Sequence, residues 1–310
     1  MRILITGGAG CLGSNLIEHW LPKGHQIFVI DNFATGKREV VPQVNGLTVR
    51  EGSIADPKLV EECFAAFKPE VVVHAAAAYK DPDDWVEDSW TNVIGSGYVA
   101  RAAKAHGVSR LINFQTALCY GRPKQLPIPA DHPTAPFTSY GISKTAGEQY
   151  MLLAGVPTLS LRLANVTGPR LAIGPIPTFY KRLKAGLKCF CSDTARDFLD
   201  MSDFLAFMDL AIVASAPVGV FNIASGEAHT IKEIFDLVCQ HLGLPQTDVP
   251  VVPPAADDVP VVSLDATETA RKFGWAPKVG FKETIGRQLA WYDEHGVTDV
   301  FSHLKAPTSR

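Results

Sequence analysis

The first thirty-one residues run as strand, glycine turn, helix and second strand, an order that few folds accept. Met1-Arg-Ile-Leu-Ile-Thr6 is a short apolar strand, and Gly7-Gly-Ala-Gly10-Cys-Leu-Gly13 is a glycine-rich turn. Ser14–Leu21 has the texture of a helix, and Gln26-Ile-Phe-Val-Ile30 is a second apolar strand that ends in Asp31. Two strands joined through a helix lie parallel in one sheet, with a right-handed crossover. Glycines at 7 and 10 let the backbone turn tightly and approach a pyrophosphate. Gly13 lets helix and strand pack closely, and the helix N-terminus supplies amide donors and a favourable dipole. Asp31 is placed to accept both ribose hydroxyls of NAD and to repel the 2′-phosphate of NADP. A glycine pattern alone is a weak signal; with both strands, the helix and the acid in order it predicts a dinucleotide site.

The rest of the chain narrows the class. Its 310 residues are 46% hydrophobic and 20% charged, which suits a globular α/β protein. A net charge of −3 without a dense Lys/Arg run gives no reason to expect a nucleic-acid partner. No apolar run approaches the ~18 residues a membrane helix needs. Met1 already lies at the edge of the first strand, so no signal peptide is expected and the cytoplasm is the expected compartment. The six cysteines, at 11, 63, 119, 189, 191 and 239, form no CxxC pair. Cys189 and Cys191 read as reduced thiols near a binding loop, with a metal or disulfide as the alternative. The histidines form no HExxH or HxH pair, His74 reads as a core residue, and no metal is implied.

Strand and helix signals alternate through the first half, as in a doubly wound parallel sheet. Further strands are expected at 47–50, 70–74, 110–114 and 158–163, with helices near 57–67, 89–106 and 139–154. Their unalternating apolar runs suit strands buried on both faces. After Leu163, Pro169, Pro175, Pro177, Pro250, Pro253, Pro254 and Pro260 break the chain into short elements. The expected organisation is a Rossmann domain over 1–165 and a smaller, mainly substrate-binding lobe over 166–310. A return to the main sheet is expected near 219–224.

Tyr140-Gly-Ile-Ser-Lys144 carries the chemistry. With Ser139 as the cap, Tyr140 and Lys144 lie one helical turn apart on one face. A free phenol has a pKa of roughly 10 and is no base at neutral pH. A lysine ammonium and a positive nicotinamide ring beside it favour the phenolate. Lowering the pKa by about three units takes roughly 4 kcal/mol, attainable in a partly dry site.

TGGAGCLG, HAAAA after the fourth strand, Asn92 in TNVIGS, and YGISK together resemble the extended short-chain dehydrogenase/reductases. The chain is most similar to nucleotide-sugar epimerases of the UDP-glucose 4-epimerase type, through RLANVTGPR, ARDFLDMSD and FNIASGE to the tail. FQTALCYG resembles a bacterial epimerase/dehydratase subgroup from surface-polysaccharide loci. The resemblance implies Tyr140 as base, Lys144 as its partner and Thr116 as the catalytic hydroxyl, with Gln115 where a serine is common. It implies NAD contacts from Gly7, Gly10, Cys11, Leu12, Gly13, Asp31, Asn32, Thr35, Gly36, Ser53, Ile54, Ala76, Ala77, Asn92, Gln115, Tyr140 and Lys144. Tyr79 or Lys80 is placed to face the cofactor phosphates, and the spacing leaves open which. Asn165 and Arg196 match diphosphate-binding positions.

The chain departs from the family at Pro254–Pro260, which offers two adjacent acids where a further diphosphate arginine is common. Ala117 and Leu118 stand where relatives that eliminate water or decarboxylate carry acids, and Cys119 falls one place beyond a reductase cysteine. The implied reaction is therefore inversion of one sugar carbon, most simply C4, through a transient 4-keto intermediate. A 4,6-dehydratase, a reductase or a non-catalytic NAD-binding protein remain as alternatives. The helices near 89–106 and 139–154 resemble a pair that builds a homodimer, with internal packing as the alternative.

Overall fold

A computed structural model describes residues 1–245, 248–255 and 258–301. Six strands form in the first half: β1 (Arg2–Thr6), β2 (Gln26–Asp31), β3 (Leu47–Glu51), β4 (Val71–His74), β5 (Arg110–Thr116) and β6 (Thr158–Leu163). With Gly219–Ile223 they make one seven-stranded sheet in the order Gly219–Ile223, β6, β5, β4, β1, β2, β3, and every pairing is parallel. This is the doubly wound Rossmann sheet. Ile3, Leu4, Ile5, Val72, Val73, Leu111, Ile112, Leu159 and Leu161 are all fully buried. A strand covered on both faces has no reason to alternate, which is why these segments read as continuous apolar runs.

Helices cover both faces. α1 (Cys11–Trp20) packs Leu16, Ile17 and Trp20 on one side, in a core that includes Phe204 and Phe207. The other side carries α2 (Pro57–Phe67), α3 (Trp85–Asp88), α4 (Ser96–Ala105) and α5 (Ser139–Leu153). The helix expected at 89–106 differs in kind. It begins as α3, passes through a π-helical stretch at Ser89–Gly95, and becomes α-helical at Ser96. The wide turn falls on Asn92, and such turns gather at functional sites.

The second half both completes the main-sheet core and builds a separate lobe: it runs through β7 (Asn165–Thr167), α6 (Pro175–Lys184), β8 (Cys191–Ser192), β9 (Ala195–Asp200) and α7 (Met201–Ala211), the last packing Phe204 and Phe207 into the core with α1. It continues through β10 (Gly219–Ile223, the strand in the main sheet), β11 (Ala228–Thr230), α8 (Ile231–His241), β12 (Val251–Val252), β13 (Val261–Val262), α9 (Thr267–Phe273) and α10 (Phe281–His295). Phe179, Ile234, Phe235, Ile285 and Leu289 form its separate core. β9 pairs with β7, β11 and β13 and so carries the lobe's small sheet. Among the described residues, no helix is long and apolar enough to cross a membrane. All six cysteines are free thiols.

One buried ion pair joins α5 to the sheet. Glu148 is wholly buried, and its carboxylate accepts from Arg162 Nη2 at 2.9 Å and Ser160 Oγ at 2.7 Å. Arg162 also donates to the Ala130 carbonyl at 3.0 Å and lies over the Tyr120 ring at 4.8 Å. Removing one member of such a pair strands the other without solvent. Glu148→Ala is expected to lower unfolding stability by about 3–5 kcal/mol. A chemical-denaturation midpoint equal to that of the unaltered protein would contradict this.

Candidate active site

The glycine turn is held by close approach. Gly7 adopts φ 70° and donates its N–H to the Ile30 carbonyl at 2.8 Å. A Cβ on Gly7 would sit 2.6 Å from the Ala76 nitrogen, and one on Gly13 would sit 2.4 Å from the Gly7 oxygen. Neither position tolerates a side chain, because backbone cannot move aside as a flexible chain can. Gly36 lies equally close to Ala9. Gly10 caps α1 without a side-chain bond, so the first-turn amides of Cys11, Leu12 and Gly13 face outward with no carbonyl inside the helix. The Cys11 thiol turns away, 3.4 Å from the Pro169 carbonyl, and burial pushes its pKa up to about 12.

Asp31 ties the turn to the end of β2. Its Oδ2 accepts from the Ala9 N–H and its Oδ1 from the Phe33 N–H, both at 2.8 Å. Burial raises its pKa while these two bonds oppose the rise. Each oxygen retains a lone pair, which suits a ribose diol. Asn32 closes its own turn by accepting from the Ala34 N–H, and Ser53 does the same with the Ala55 N–H, both at 3.1 Å. Ile54 is buried against Gly95, and Thr35 lies near enough to Tyr79 to oppose the rise that burial gives its phenol. Lys80 is exposed, whereas Tyr79 faces inward with its ring 6.3 Å from that of Tyr140.

A hydrogen-bond relay links the glycine turn to α5, which carries Tyr140 and Lys144. The Ala76 N–H donates to Thr6 Oγ1 at 3.3 Å, and Thr6 Oγ1 lies 2.8 Å from His74 Nδ1. His74 Nε2 lies 2.9 Å from Ser96 Oγ, which donates its own proton to the Asn92 carbonyl at 2.6 Å. Ser96 therefore accepts from His74, which fixes the proton on Nε2 and makes Thr6 the donor to Nδ1. Burial, with Lys144 nearby, pushes the His74 pKa down to about 3, so the ring is neutral. The Asn92 amide clasps Ala78 through both its ends at 2.9 Å and donates to Ser143 Oγ at 3.0 Å. Ser143 donates in turn to the Tyr140 carbonyl at 3.1 Å.

Thr138, rather than Ser139, caps α5, accepting from the Gly141 N–H at 3.1 Å. Ser139 is already inside the first turn and donates to Asp88 at 2.6 Å. Tyr140 and Lys144 do fall one turn apart, and Lys144 is only 5% exposed. Burial lowers the Lys144 pKa to about 8, with the Glu148 charge opposing. Burial pushes the Tyr140 phenol up, and Tyr79 and the Asp88 carboxylate add to the rise. Gln115 docks this helix on β5: its Nε2 donates to the Lys144 carbonyl at 3.0 Å, and its Oε1 accepts from the Thr116 N–H at 2.7 Å. Its side chain, like that of Asn92, thus acts inside the protein as a brace. Thr116 Oγ1 accepts from the Leu118 N–H at 3.2 Å and opens the short turn 117–120. Cys119 is wholly buried, with its thiol pushed up to about 12 by burial.

In the smaller lobe, Asn165 opens β7 exposed and donates to the Asp197 carbonyl at 2.9 Å. Arg196 lies in the neighbouring β9, and its guanidinium donates to Asp258 at 2.5 Å and to the carbonyls of Ala195 and Pro260. Of the two adjacent acids, Asp258 is thus the ion partner of the arginine, and Asp257 lies outside the described residues. Four residues of consequence escaped the sequence reading. Glu148 continues the i,i+4 row from Tyr140 and Lys144, and Arg162 is a lone charge in an apolar strand, so both left a signal. Asp197, buried and bonded to Ser225, Gly226 and Leu264, and Asp88 left none beyond their neighbours.

The family model for the NAD dependent epimerase/dehydratase family matches residues 3–224. The chain belongs to that family. It is 31% identical to the UDP-glucose 4-epimerase of Mycolicibacterium smegmatis, over 94% of this chain and 98% of that one. The Bordetella bronchiseptica enzyme WbmG, solved in complex with NAD and UDP, is 70% identical and superposes with a TM-score of 0.93, covering 98% of this chain and 97% of WbmG. WbmH of the same organism, solved with NAD+, is 41% identical with a TM-score of 0.90, over 96% and 99% of the two chains. These are relatives of an extended short-chain dehydrogenase/reductase that uses NAD.

Asp31→Ala removes both the carboxylate charge at the end of β2 and the anchor of Ala9. Fluorescence titration is expected to show weaker NAD binding and a narrowed preference over NADP. An unchanged ratio of the two affinities would contradict the role of Asp31.

Proposed function

We propose that the protein is an NAD-dependent nucleotide-sugar 4-epimerase acting on a UDP-sugar. The carrying observation is Tyr140 one helical turn from the buried Lys144, on a helix joined by the Thr6–His74–Ser96–Asn92–Ser143 relay to a glycine cradle that a Cβ would fill. Similarity to WbmG, solved with NAD and UDP, supports the nucleotide. The cradle fits a dinucleotide: the outward amides of Cys11, Leu12 and Gly13 suit the pyrophosphate, and Asp31 suits the ribose. Bound there, NAD supplies reversible hydride acceptance at the sugar carbon.

The chain's own residues handle the proton and the sugar's position. The Tyr140 oxygen takes the proton of the sugar hydroxyl and later returns it. Lys144, one turn along the same face, stabilises the phenolate against the burial that opposes it. Thr116 hydrogen-bonds the reacting oxygen at the end of β5. After oxidation the 4-keto sugar turns over and is reduced on its other face. Ala117, Leu118 and the buried, high-pKa Cys119 stand beside Thr116, so the local chemistry is that of one carbon. Asn165 and Arg196 grip the diphosphate, with Asp258 yielding or sharing the guanidinium as the phosphate arrives.

Homodimerisation is part of the proposal. Trp85 (68% exposed), Val86 (78%), Trp90 and, on α5, Ile142, Tyr150 and Leu153 (78%) are apolar and exposed along two adjacent helices. Light scattering is expected to give twice the 33.5 kDa chain mass.

The test is a panel of UDP-, TDP- and GDP-sugars, uronic acids included, with catalytic NAD. A UDP-sugar giving a new chromatographic peak of unchanged mass, without net NADH, is the expected result. A product lighter by one water, or stoichiometric NADH, overturns the assignment. Tyr140→Phe is expected to lose turnover by about a hundredfold or more with NAD still bound; retained turnover rules Tyr140 out as the base.

A further inference from the structure

Arg170 has no place in the mechanism above, yet the fold holds it in a conformation that a side chain opposes. Its φ is 66°, in the left-handed region that glycine enters freely and other residues keep only where contacts compensate. Those contacts lie on α1. Arg170 Nε donates to Ser14 Oγ at 2.8 Å, and its two Nη atoms donate to the two Glu18 carboxylate oxygens, both at 2.8 Å. Ser14 is wholly buried and donates its own proton to the Cys11 carbonyl at 3.2 Å, so toward the arginine it is an acceptor. One residue earlier, the Pro169 carbonyl accepts from Asn15 Nδ2 at 3.0 Å and from the Cys11 thiol at 3.4 Å. Cys11, Ser14, Asn15 and Glu18 follow the i, i+3, i+4, i+7 spacing of one helix face, and all four bond the same two residues. The segment has no slack on its other side. A Cβ on Gly168 would sit 2.3 Å from the Cβ of Met201, at the start of α7.

We propose that Arg170 is a positioning residue that sets the distance between the cofactor and the sugar. The inference rests on the function proposed above. α1 begins at the amides that suit the cofactor pyrophosphate. The segment strapped to it follows β7, which opens with Asn165 and pairs with β9, the strand of Arg196. The cofactor helix and the proposed diphosphate grip therefore meet along one stripe of α1, and Arg170 is the side chain that fastens them. Hydride must leave the sugar and return across the same gap, where a displacement of about an ångström can cost a hundredfold in rate. Stability alone does not account for the contact. The Glu18 side chain is 56% exposed, and an ion pair so placed contributes little, whereas a bidentate fork fixes geometry.

Arg170→Gly suits the backbone conformation and cuts the strap, so the turn is retained while its fastening is lost. The measurement is turnover of the accepted UDP-sugar, counted per UDP-binding site, with hydrogen or deuterium at the inverted carbon. In this variant kcat is expected to fall by about tenfold or more with KM changed by less than about threefold, because the lobe keeps its own grip on the diphosphate. The deuterated sugar should turn over more slowly than the unlabelled one, since hydride transfer becomes the slow step. An undiminished kcat overturns the proposal, as does a loss carried by KM or a fall in which both sugars react at the same rate. If Arg170→Gly yields no folded protein, Glu18→Ala, which cuts the same strap from the surface of α1, decides by the same readings. An unaltered protein that turns over no sugar nucleotide refutes the proposed function instead, and the inference with it.

Discussion

The chemistry of this fold depends on how helix α5 is seated. Its lower half is fixed by Glu148, whose carboxylate meets Arg162 and Ser160 of β6 in a wholly buried contact. One turn earlier, the Lys144 carbonyl receives the Gln115 amide from β5. One turn earlier again stands Tyr140. A buried ion pair is a weak source of net stability but a strict one in geometry, because either partner alone is costly. The pair therefore sets the register of α5 on the sheet, and through it the place of Tyr140, the proposed base. Glu148 also acts through charge, since it holds up the pKa of Lys144 against burial.

The second constraint is the relay that runs from the glycine turn to that helix. Every polar group in it has a defined partner, from Ala76 through Thr6, His74 and Ser96 to Asn92 and Ser143. Low pKa at His74 removes the ambiguity that a charged ring would introduce. Glycine turn and α5 thus become one unit, joined through β1, β4, the first turn of α4 and the π-turn at Asn92. A low-dielectric site makes such networks directional and makes a missing member expensive. The same dryness pushes Tyr140 up and Lys144 down. The proposed chemistry at neutral pH then requires positive charge beside the phenol, for which the buried Lys144 one turn along α5 is this chain's candidate.

Much of this was legible in the residues. The glycine spacing, Asp31 and the unalternating strands fixed the sheet and its carboxyl edge, because those patterns report backbone approach and burial directly. Tyr140 and Lys144 were legible because i,i+4 spacing puts them on one face whatever the tertiary context. Other assignments depended on pairings that sequence does not show. Gln115 and Asn92 resemble cofactor ligands, yet their amides brace α5 and the loop at Ala78. Thr138 and Ser139 are both good caps, and only the Asp88 contact decides between them. The stretch Pro254–Pro260 offers acids where a second diphosphate arginine is common in the family. In that stretch Asp258 pairs with Arg196, a contact that sequence spacing does not reveal.

The central claim is that one carbon is inverted by hydride removal and return at a site governed by Tyr140. The direct measurement is turnover of the accepted sugar nucleotide in deuterium oxide, followed by mass spectrometry of the epimer. Removed as hydride, the hydrogen never meets solvent, so the account predicts a product that carries no carbon-bound deuterium. A product heavier by one deuterium at the inverted carbon would mean proton abstraction from carbon, and would contradict the account.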